Sequence, residues 1–485
     1  MNVALPQDDI RRLKREILVR MICAFFGEDF AESVRLIPLD MRPKGSEVPY
    51  RCCIYKERAI LRDRLIAGLG QAIEDDDERT DLTQYARNAL ERTEPESKPL
   101  TVLEAACKGC VDSRIFVTDL CQGCVARPCQ NTCRFGAISV KNGKSHIDPE
   151  KCKKCGMCMQ VCPYQAIART IVPCENACPV GAITKDTNGH ARIDFDKCIT
   201  CGRCLSVCPF GAIHEKSQLI DILKNIKNGK KVVAMFAPAL LGQLPGSPEQ
   251  LHTALKKIGF YKVYEVAQGA DITIANETAD FKERMEENAP FMTTSCCAGY
   301  NELVKRHIPE LKPYVSATHT PAYYTAELAK KNDADVMTVF ISPCIAKRRE
   351  GRDNPNIDFV LSFEELGALF IAMQIDIEAQ EPTPYEVESS REARKFALSS
   401  GVSDAVKTYA GAESGIQAYV INGLDKQAIR DLKKFAKDGK CPFGNLIEVM
   451  CCVNGCVGGS SCLNPVKTAT KRVVENADKN KSVVS

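Results

Sequence analysis

Sixteen cysteines between Cys107 and Cys208 fall into CxxC-type half-motifs, and five more, Cys296, Cys297, Cys344, Cys452 and Cys456, lie far downstream. Thiolates at such spacing are metal ligands. A disulfide framework would need an oxidising compartment, and the N-terminal MNVALPQDDIRRLKREILVR lacks an apolar run ending in a small-residue cleavage site. Zinc sites use isolated CxxC pairs, often with histidine. The chain has only six histidines, none beside these motifs at ligand spacing. The run CxxCxxCxxxCP is instead the iron–sulfur signature, with three thiolates on one cluster and the fourth on its neighbour. The first cysteine set has the layout of an electron wire, and the second that of a pocket where the wire ends.

On this rule Cys152, Cys155 and Cys158 hold one cluster with Cys133. Cys121, Cys124 and Cys129 hold a second with Cys162. Cys198, Cys201 and Cys204 hold a third with Cys178. The remaining Cys107, Cys110, Cys174 and Cys208 close a fourth 4Fe–4S site, leaving none of the sixteen spare. A degenerate half-module with three clusters stays open as the alternative.

The elements that must position these ligands follow from pattern. A chain of 485 residues exceeds one core, and two to four domains are expected. Residues 1–100 show helical periodicity, as in Ile10, Leu13, Ile17 and Met21, and 92–99 read as a linker. Cys23, Cys52 and Cys53 lack ligand partners there and read as small buried hydrophobes. The acidic run from Glu74 to Glu78 reads as a solvated turn, and Gly68-Leu69-Gly70 as a lone GxG within a helix. Residues 101–215 carry a repeat: AISVKNGKSHIDPEKCKKCGMCMQVCPYQAI recurs as AITKDTNGHARIDFDKCITCGRCLSVCPFGAI, each opening with a strand and an Asn-Gly turn. From 216 to 485, apolar strands (232–236, 336–341, 359–361, 418–421) alternate with helices (253–258, 277–287, 301–307, 426–435). That alternation predicts α/β with a largely parallel sheet, its ligand loops at strand carboxyl ends. The fold class is therefore multidomain α+β and α/β: a helical N-terminal region, a ferredoxin-like double repeat and a two-lobed α/β C-terminal domain.

Three downstream loops, TSCCAGY from Thr294, SPCIAKRRE from Ser342 and EVMCCVNGCVGG from Glu448, resemble the signature loops of FeFe-hydrogenases, whose usual forms are TSCCP, PCxxKxxE and ExMACxGGC. The PLDMRPK, RCCIYKERAI and CKGC stretches look like the group-B branch of that family. The resemblance implies that Cys297, Cys344, Cys452 and Cys456 ligate the 4Fe–4S part of the H-cluster, with Cys456 bridging to a diiron subsite that carries CO, CN and azadithiolate ligands. It makes Cys296 the free proton-passing thiol and Lys347 a donor to a cyanide. Ala237 and Pro238 match the family's AP loop, and Phe396 and Met450 its apolar pocket residues.

Glu277, Asp280 and Arg284 share one helical face at i, i+3 and i+7. That spacing alone fits an exposed helix with an Asp280–Arg284 ion pair equally well. Along the resemblance, these three and Ser316 form the family's proton relay. The chain departs from the motifs at Ala298 (usually proline), Ser342 (usually methionine) and Cys451 (usually alanine), and the loop after Cys456 is shorter. Cys441, Cys451 and Cys462 read as structural.

The implied function is a monomeric, cytoplasmic oxidoreductase interconverting dihydrogen with protons and electrons. Four relay clusters would connect the H-cluster to a soluble ferredoxin or similar carrier, and hydrogenase maturation proteins would supply the diiron group. The alternative is a non-catalytic iron–sulfur sensor or carrier on the same fold; retention of Cys296 and Lys347 favours the enzyme. A net charge of +3 leaves no footprint for nucleic acid, and the longest apolar stretch, broken by Pro238, is too short for a membrane span.

Overall fold

The structure, a computed structural model, describes residues 8–47, 50–107 and 110–484. Lys108 and Gly109, the middle of the CKGC motif, lie outside the described residues, as do the first seven residues of the N-terminal segment read above for a leader.

Four helices, Asp9–Phe26, Phe30–Met41, Ile54–Gly68 and Leu82–Glu91, build the N-terminal region. Asp8, Asp29 and Asp81 cap three of them by accepting backbone N–H bonds from the first turn. Their apolar faces, including Met21, Ile22, Leu65 and Ile66, enter the same core as the strand Val232–Phe236 and as Leu366 and Phe370. Arg15, buried on the first helix, donates to Glu364 at 3.0 Å across that junction.

Several local readings change. Cys23 and Cys52 are exposed and Cys53 is half-buried: Cys23 sits on the outer side of the first helix, and Cys52 and Cys53 lie in the bend that precedes Ile54–Gly68. The acidic run is not merely solvated: Glu74 accepts from Val102 N at 3.0 Å, and Asp76 pairs with Arg62 and accepts from the Tyr85 hydroxyl at 2.8 Å. These bonds tie the turn to the strand and helix beside it. The GxG is a helix end, with Gly70 at φ +82° where the chain turns away.

The cysteine-rich part is nested. Leu100–Val102 pairs antiparallel with Ile213–Glu215, bracketing the segment, and inside it Arg114–Val117 pairs antiparallel with Ile167–Thr170. Each enclosed level carries one hairpin, Ile138–Lys141 with Lys144–Ile147 and Ile183–Lys185 with Ala191–Ile193. One strand-and-hairpin module is thus inserted into the other.

Downstream, two parallel sheets form the two lobes. The first runs Lys262–Glu265, Val232–Phe236, Met337–Ser342, Phe359–Ser362, and the second Met292–Thr293, Leu446–Met450, Ala418–Asn422. Val232–Phe236 and Leu446–Met450 are buried along their whole length, as central parallel strands require. The helix expected at 277–287 is Val266–Glu286. Its first half carries Gly269, Thr273 and Asn276, poor helix formers that tertiary packing overrides. Gly269 is needed there, since a Cβ would lie 2.1 Å from the Pro321 carbonyl oxygen of the neighbouring helix Pro321–Asn332.

Candidate active site

Four loops leave the carboxyl ends of parallel strands, two per sheet, and meet at one cavity of about 90 Å³. After Val232–Phe236 come Ala237 and Pro238, and after Met337–Ser342 come Pro343 and Cys344. From the other lobe, Met292–Thr293 leads to Cys296 and Cys297, and Leu446–Met450 leads to Cys452 and Cys456. Lys347, Phe396 and Met450 complete the wall, together with the departures Ala298 and Ser342. Gly455, at φ +81°, makes the tight turn between Cys452 and Cys456 possible; a side chain there would strike the backbone at Leu398.

The loops are pinned by charge. Arg348, beside Lys347, is buried and bonds Glu365 at 2.7 Å and Glu215 at 3.3 Å. Arg349 and Arg306 both grip Glu302 on the helix Ala298–His307 that follows the double cysteine. Glu448, fully buried in the central strand, accepts from the backbone N–H groups of Ser400 and Ser403, each at 2.8 Å, at the start of the helix Gly401–Ala410.

Around the cavity the chemistry is that of thiols in apolar surroundings, Cys452 lying behind the lining formed by Cys296, Cys297, Cys344 and Cys456. Burial pushes Cys344 up to about 11 and raises Cys452 and Cys456 as well; the charges of neighbouring thiolates add to the rise, and Lys347 works against it at Cys344 and Cys456. Only a strong local positive charge would hold these three sulfurs ionised together. Lys347 is a buried ammonium whose Nζ bonds both Glu350 oxygens, at 2.8 and 2.6 Å, and lies 3.5 Å from the Cys296 carbonyl oxygen. Glu350 in turn accepts from Thr320 Oγ1 at 2.6 Å. The Cys297 sulfur accepts the Cys451 N–H at 3.4 Å.

Cys296 faces the cavity, its thiol pushed well up by burial and then by the charge of Glu277. Glu277 is fully buried, and neither carboxyl oxygen has a hydrogen-bond partner of ordinary length. Burial lifts its pKa to about 8, opposed by the Ser295 backbone N–H and helped by the charges of Asp280 and Glu448. One turn on, Asp280 pairs with Arg284 at 2.6 Å and accepts from Ala317 N at 2.8 Å. Arg284 also donates to the carbonyls of Pro313 and Val315, at 2.6 and 3.0 Å, and so clamps the segment carrying Ser316. Glu277 thus acts electrostatically on Cys296 and Asp280 on Glu277, while Arg284 holds Asp280 and the segment of Ser316; the exposed-helix alternative fails at buried Glu277, although its Asp280–Arg284 ion pair is present.

Twelve of the sixteen upstream sulfurs gather by fours. Cys107, Cys110, Cys174 and Cys208 act electrostatically on one another, as do Cys133, Cys152, Cys155 and Cys158, and also Cys178, Cys198, Cys201 and Cys204. In Cys-Pro-x-x-Ala the alanine N–H returns to the cysteine sulfur, at 3.4 Å for Cys162, 3.2 Å for Cys178 and 3.3 Å for Cys208. The residue before each alanine, Gln165, Gly181 or Gly211, takes positive φ to allow it. Sulfurs wrapped in backbone N–H groups, four to a group, suit anionic iron–sulfur cubanes. Arg64 adds a second sign. It is buried against the Cys208 loop, feels the Cys208 charge and donates to Phe210 O at 3.3 Å, while its Nε has no partner.

Sequence reasoning missed two features here. Glu448 lies inside a motif read only for its cysteines, although a lone acid in an apolar strand is itself a signal of a buried hydrogen-bonded carboxylate. Cys451, read as structural, packs in one apolar cluster with Cys201 of the upstream set and gives its backbone N–H to the Cys297 sulfur. No spacing rule could relate residues that far apart.

Comparison with known proteins agrees with this geometry. Residues 230–460 match the family described as iron only hydrogenase large subunit, C-terminal domain, residues 168–219 an LdpA Fe-S cluster-binding domain, and residues 145–168 a 4Fe-4S binding domain. Iron hydrogenase 1 of Clostridium pasteurianum is 28% identical over 336 residues, 56% of this chain and 58% of that protein. The periplasmic Fe hydrogenase large subunit of Nitratidesulfovibrio vulgaris is 30% identical over 302 residues, 50% of this chain and 72% of that protein. A solved FeFe-hydrogenase from Chlamydomonas reinhardtii aligns with a TM-score of 0.44 at 21% identity, over 54% of this chain and 90% of that one. With cysteine loops at the strand ends of both lobes and a relative of that identity matched over most of its length, the chain belongs to the iron-only, or FeFe-, hydrogenase family.

Proposed function

We propose that this protein interconverts dihydrogen with protons and electrons, and that it divides as a helical region (1–100), a cluster relay (101–215) and a catalytic unit (216–485). The observation that carries the reading is the convergence of Cys296, Cys297, Cys344, Cys456 and Lys347 on one apolar cavity, with Glu277 behind Cys296. Cys297, Cys344, Cys452 and Cys456 would hold the 4Fe–4S part of an H-cluster, Cys456 also reaching the diiron group. When bound, that group supplies a Lewis-acidic iron at which dihydrogen is polarised. The chain's residues do the rest. Lys347 offers an N–H to a buried anionic ligand, Ala237, Pro238, Phe396 and Met450 exclude water, and Cys296 hands protons to Glu277, whose pKa of about 8 lets it load and unload near neutral pH. Ser316, Asp280 and Arg284 carry the path outward.

Electrons would pass through four relay clusters to a ferredoxin-like carrier. Contacts support an order outward from the catalytic unit: Cys201 packed with Cys451, Cys204 within reach of the Cys174 charge, then Lys185 bridging Cys110 O and Asp112 near the inner module. No described helix is long and apolar enough to cross a membrane, and a reducing cytoplasm suits so many thiols. The test is to mature the protein with a diiron cofactor and record the infrared spectrum and hydrogen evolution. Carbonyl and cyanide stretching bands together with turnover are expected. Bands without turnover would favour the sensor reading, and no bands would remove the diiron assignment.

A further inference from the structure

Arg11, Lys14, Arg15 and Leu18 stand on one face of the first helix, Asp9–Phe26, at i, i+3, i+4 and i+7. The three cations all reach into the catalytic unit or the strand that leads to it. Arg11 Nη1 donates to the Cys462 carbonyl at 3.0 Å, and Arg15 bonds Glu364 through Nε and Nη2 at 3.2 and 3.0 Å. Lys14 pairs with Glu215, the last residue of the strand Ile213–Glu215 that closes the cluster segment. Glu215 in turn faces Arg348, and Arg348 pairs with Glu365. These four residues form a chain of alternating charge, two positive and two negative, whose last three side chains are at most 2% exposed. The two carboxylates are unequally served. Glu365 accepts from Arg348 at 2.7 Å, from Ser362 N at 2.6 Å and from the Ser217 hydroxyl. Glu215 Oε2 has the Arg348 guanidinium at 3.3 Å but no hydrogen bond among the described residues. Its Oε1 is held by Lys14, with the Ser362 hydroxyl farther off at 3.4 Å. Arg348 follows Lys347 directly on the helix Ala346–Asp353.

We infer that the N-terminal helix is a positioning element for the catalytic loop: Lys14 balances Glu215, which keeps Arg348 on Glu365 and so holds Lys347 at the cavity. The physical reason is competition. One buried guanidinium stands between two carboxylates, and without Lys14 the poorly served Glu215 would draw it away from Glu365. Removing Lys14 and the Glu215 charge together leaves Arg348 and Glu365 as a neutral pair with its hydrogen bonds intact. The inference rests on the proposed function for the use made of Lys347, but the position of the loop can be read without a diiron group.

The experiment is hydrogen exchange, read by mass spectrometry, on the full chain reconstituted with 4Fe–4S clusters. Wild type is compared with Lys14→Met, Lys14→Arg, the double variant Lys14→Met with Glu215→Gln, and Leu18→Ala. In Lys14→Met the amides of Ala346–Asp353 should exchange at least ~10-fold faster, while Val232–Phe236 stays as protected as in wild type. Lys14→Arg and the double variant should both return Ala346–Asp353 toward wild type. Leu18 is 2% exposed on the same face, so Leu18→Ala loosens the helix without touching the charges and should leave Ala346–Asp353 unmoved. The inference fails if Lys14→Met keeps that helix protected, if Leu18→Ala exposes it equally, or if the double variant is no better than the single. Should Lys14→Met not fold, the double variant decides: a folded double supports charge balance, and an unfolded one overturns it. In protein matured with the diiron cofactor, Lys14→Met should also shift a cyanide stretching band. An unshifted band would show Lys347 in its place and overturn the inference. Absence of all bands in wild type would refute the proposed function instead, and the exchange result would still decide whether Lys14 positions the loop.

Discussion

Cys296 and Glu277 are both held neutral by the same cause, loss of water, and that neutrality lets each give and take a proton. Replacing Cys296 with Ala should leave iron content and infrared bands unchanged while turnover falls by at least ~10²-fold, the usual loss for a positioned acid–base group. Cys296→Asp should recover part of that loss, and Glu277→Gln should resemble the Ala variant. Wild-type turnover in Cys296→Ala would send the protons by another route. Glu277 also leaves a mark on stability. Its folded pKa of about 8 lies above the ordinary 4.5, so its share of stability is intact below about 4.5 and is lost as pH rises toward 8. Melting temperatures should therefore separate with pH, Glu277→Gln gaining on wild type between pH 5 and 8; parallel curves would contradict a buried neutral acid. Arg64 presents the opposite charge. Among the described residues no carboxylate pairs with it, so its counter-ion should be the cluster on Cys107, Cys110, Cys174 and Cys208. Arg64→Met should stabilise the cluster-free protein yet lower iron content by about four atoms per chain, the content of one cubane. Unchanged iron with an unchanged potential for that cluster would separate the arginine from it.

At the level of elements, the nested cluster segment has little apolar core of its own. Its strands run three or four residues, and its hydrophobic clusters consist of a few isoleucines and valines interleaved with the cysteines themselves. Metal binding there is folding free energy. Hydrogen exchange should find residues 110–210 protected with clusters and open without them, while the strands of both lobes stay protected in either state. Equal protection would mean the hairpins fold unaided. The sequence carried much of this plan in readable form. Repeats with Asn-Gly turns announced the hairpins, and near-continuous apolar runs announced Val232–Phe236 and Met337–Ser342. What it hid were features decided across the chain. Met292–Thr293 is only two residues long, and Lys262–Glu265 begins and ends on charge, so neither has a period to detect. The first half of Val266–Glu286 reads as polar and β-branched, and it is helical because Gly269 and Ala270 let it press against Pro321–Asn332. The nesting of the two modules was equally silent, since the pairing of Leu100–Val102 with Ile213–Glu215 joins residues more than a hundred apart.

Over the whole molecule, charge is unevenly placed. Residues 111–172 hold nine lysines and arginines against four acidic residues, a surplus larger than the +3 of the entire chain. In the proposed relay this basic module would be the end opposite the catalytic unit. Its cysteine loops are fringed by exposed apolar side chains, with Val125 99% and Leu120 63% accessible, and the loop carrying them is tied to the neighbouring hairpin by Arg127 and Lys144 through Gly143 O and Asp119 O. An apolar tip within a basic collar suits a small acidic electron carrier, because opposite fields raise encounter rates and salt screens them over about 8 Å at physiological ionic strength. If the proposed relay is the working path, reduction or oxidation of an acidic ferredoxin should slow steeply as ionic strength rises, while reaction with a cationic viologen should not slow in the same way. Lys141→Glu combined with Lys153→Glu should lower kcat/KM for the ferredoxin at least tenfold at low salt, with kcat toward viologen and the cluster content unchanged, since both lysines are exposed and neither contacts a sulfur. The kinetic split matters. A loss confined to kcat/KM for the protein carrier locates docking on the basic module, whereas an equal loss with viologen would mean that the substitutions had damaged the wire. A ferredoxin reaction indifferent to both salt and charge reversal would place electron entry elsewhere, at the outer cluster of Cys107, Cys110, Cys174 and Cys208, and would leave the inner module without its proposed role.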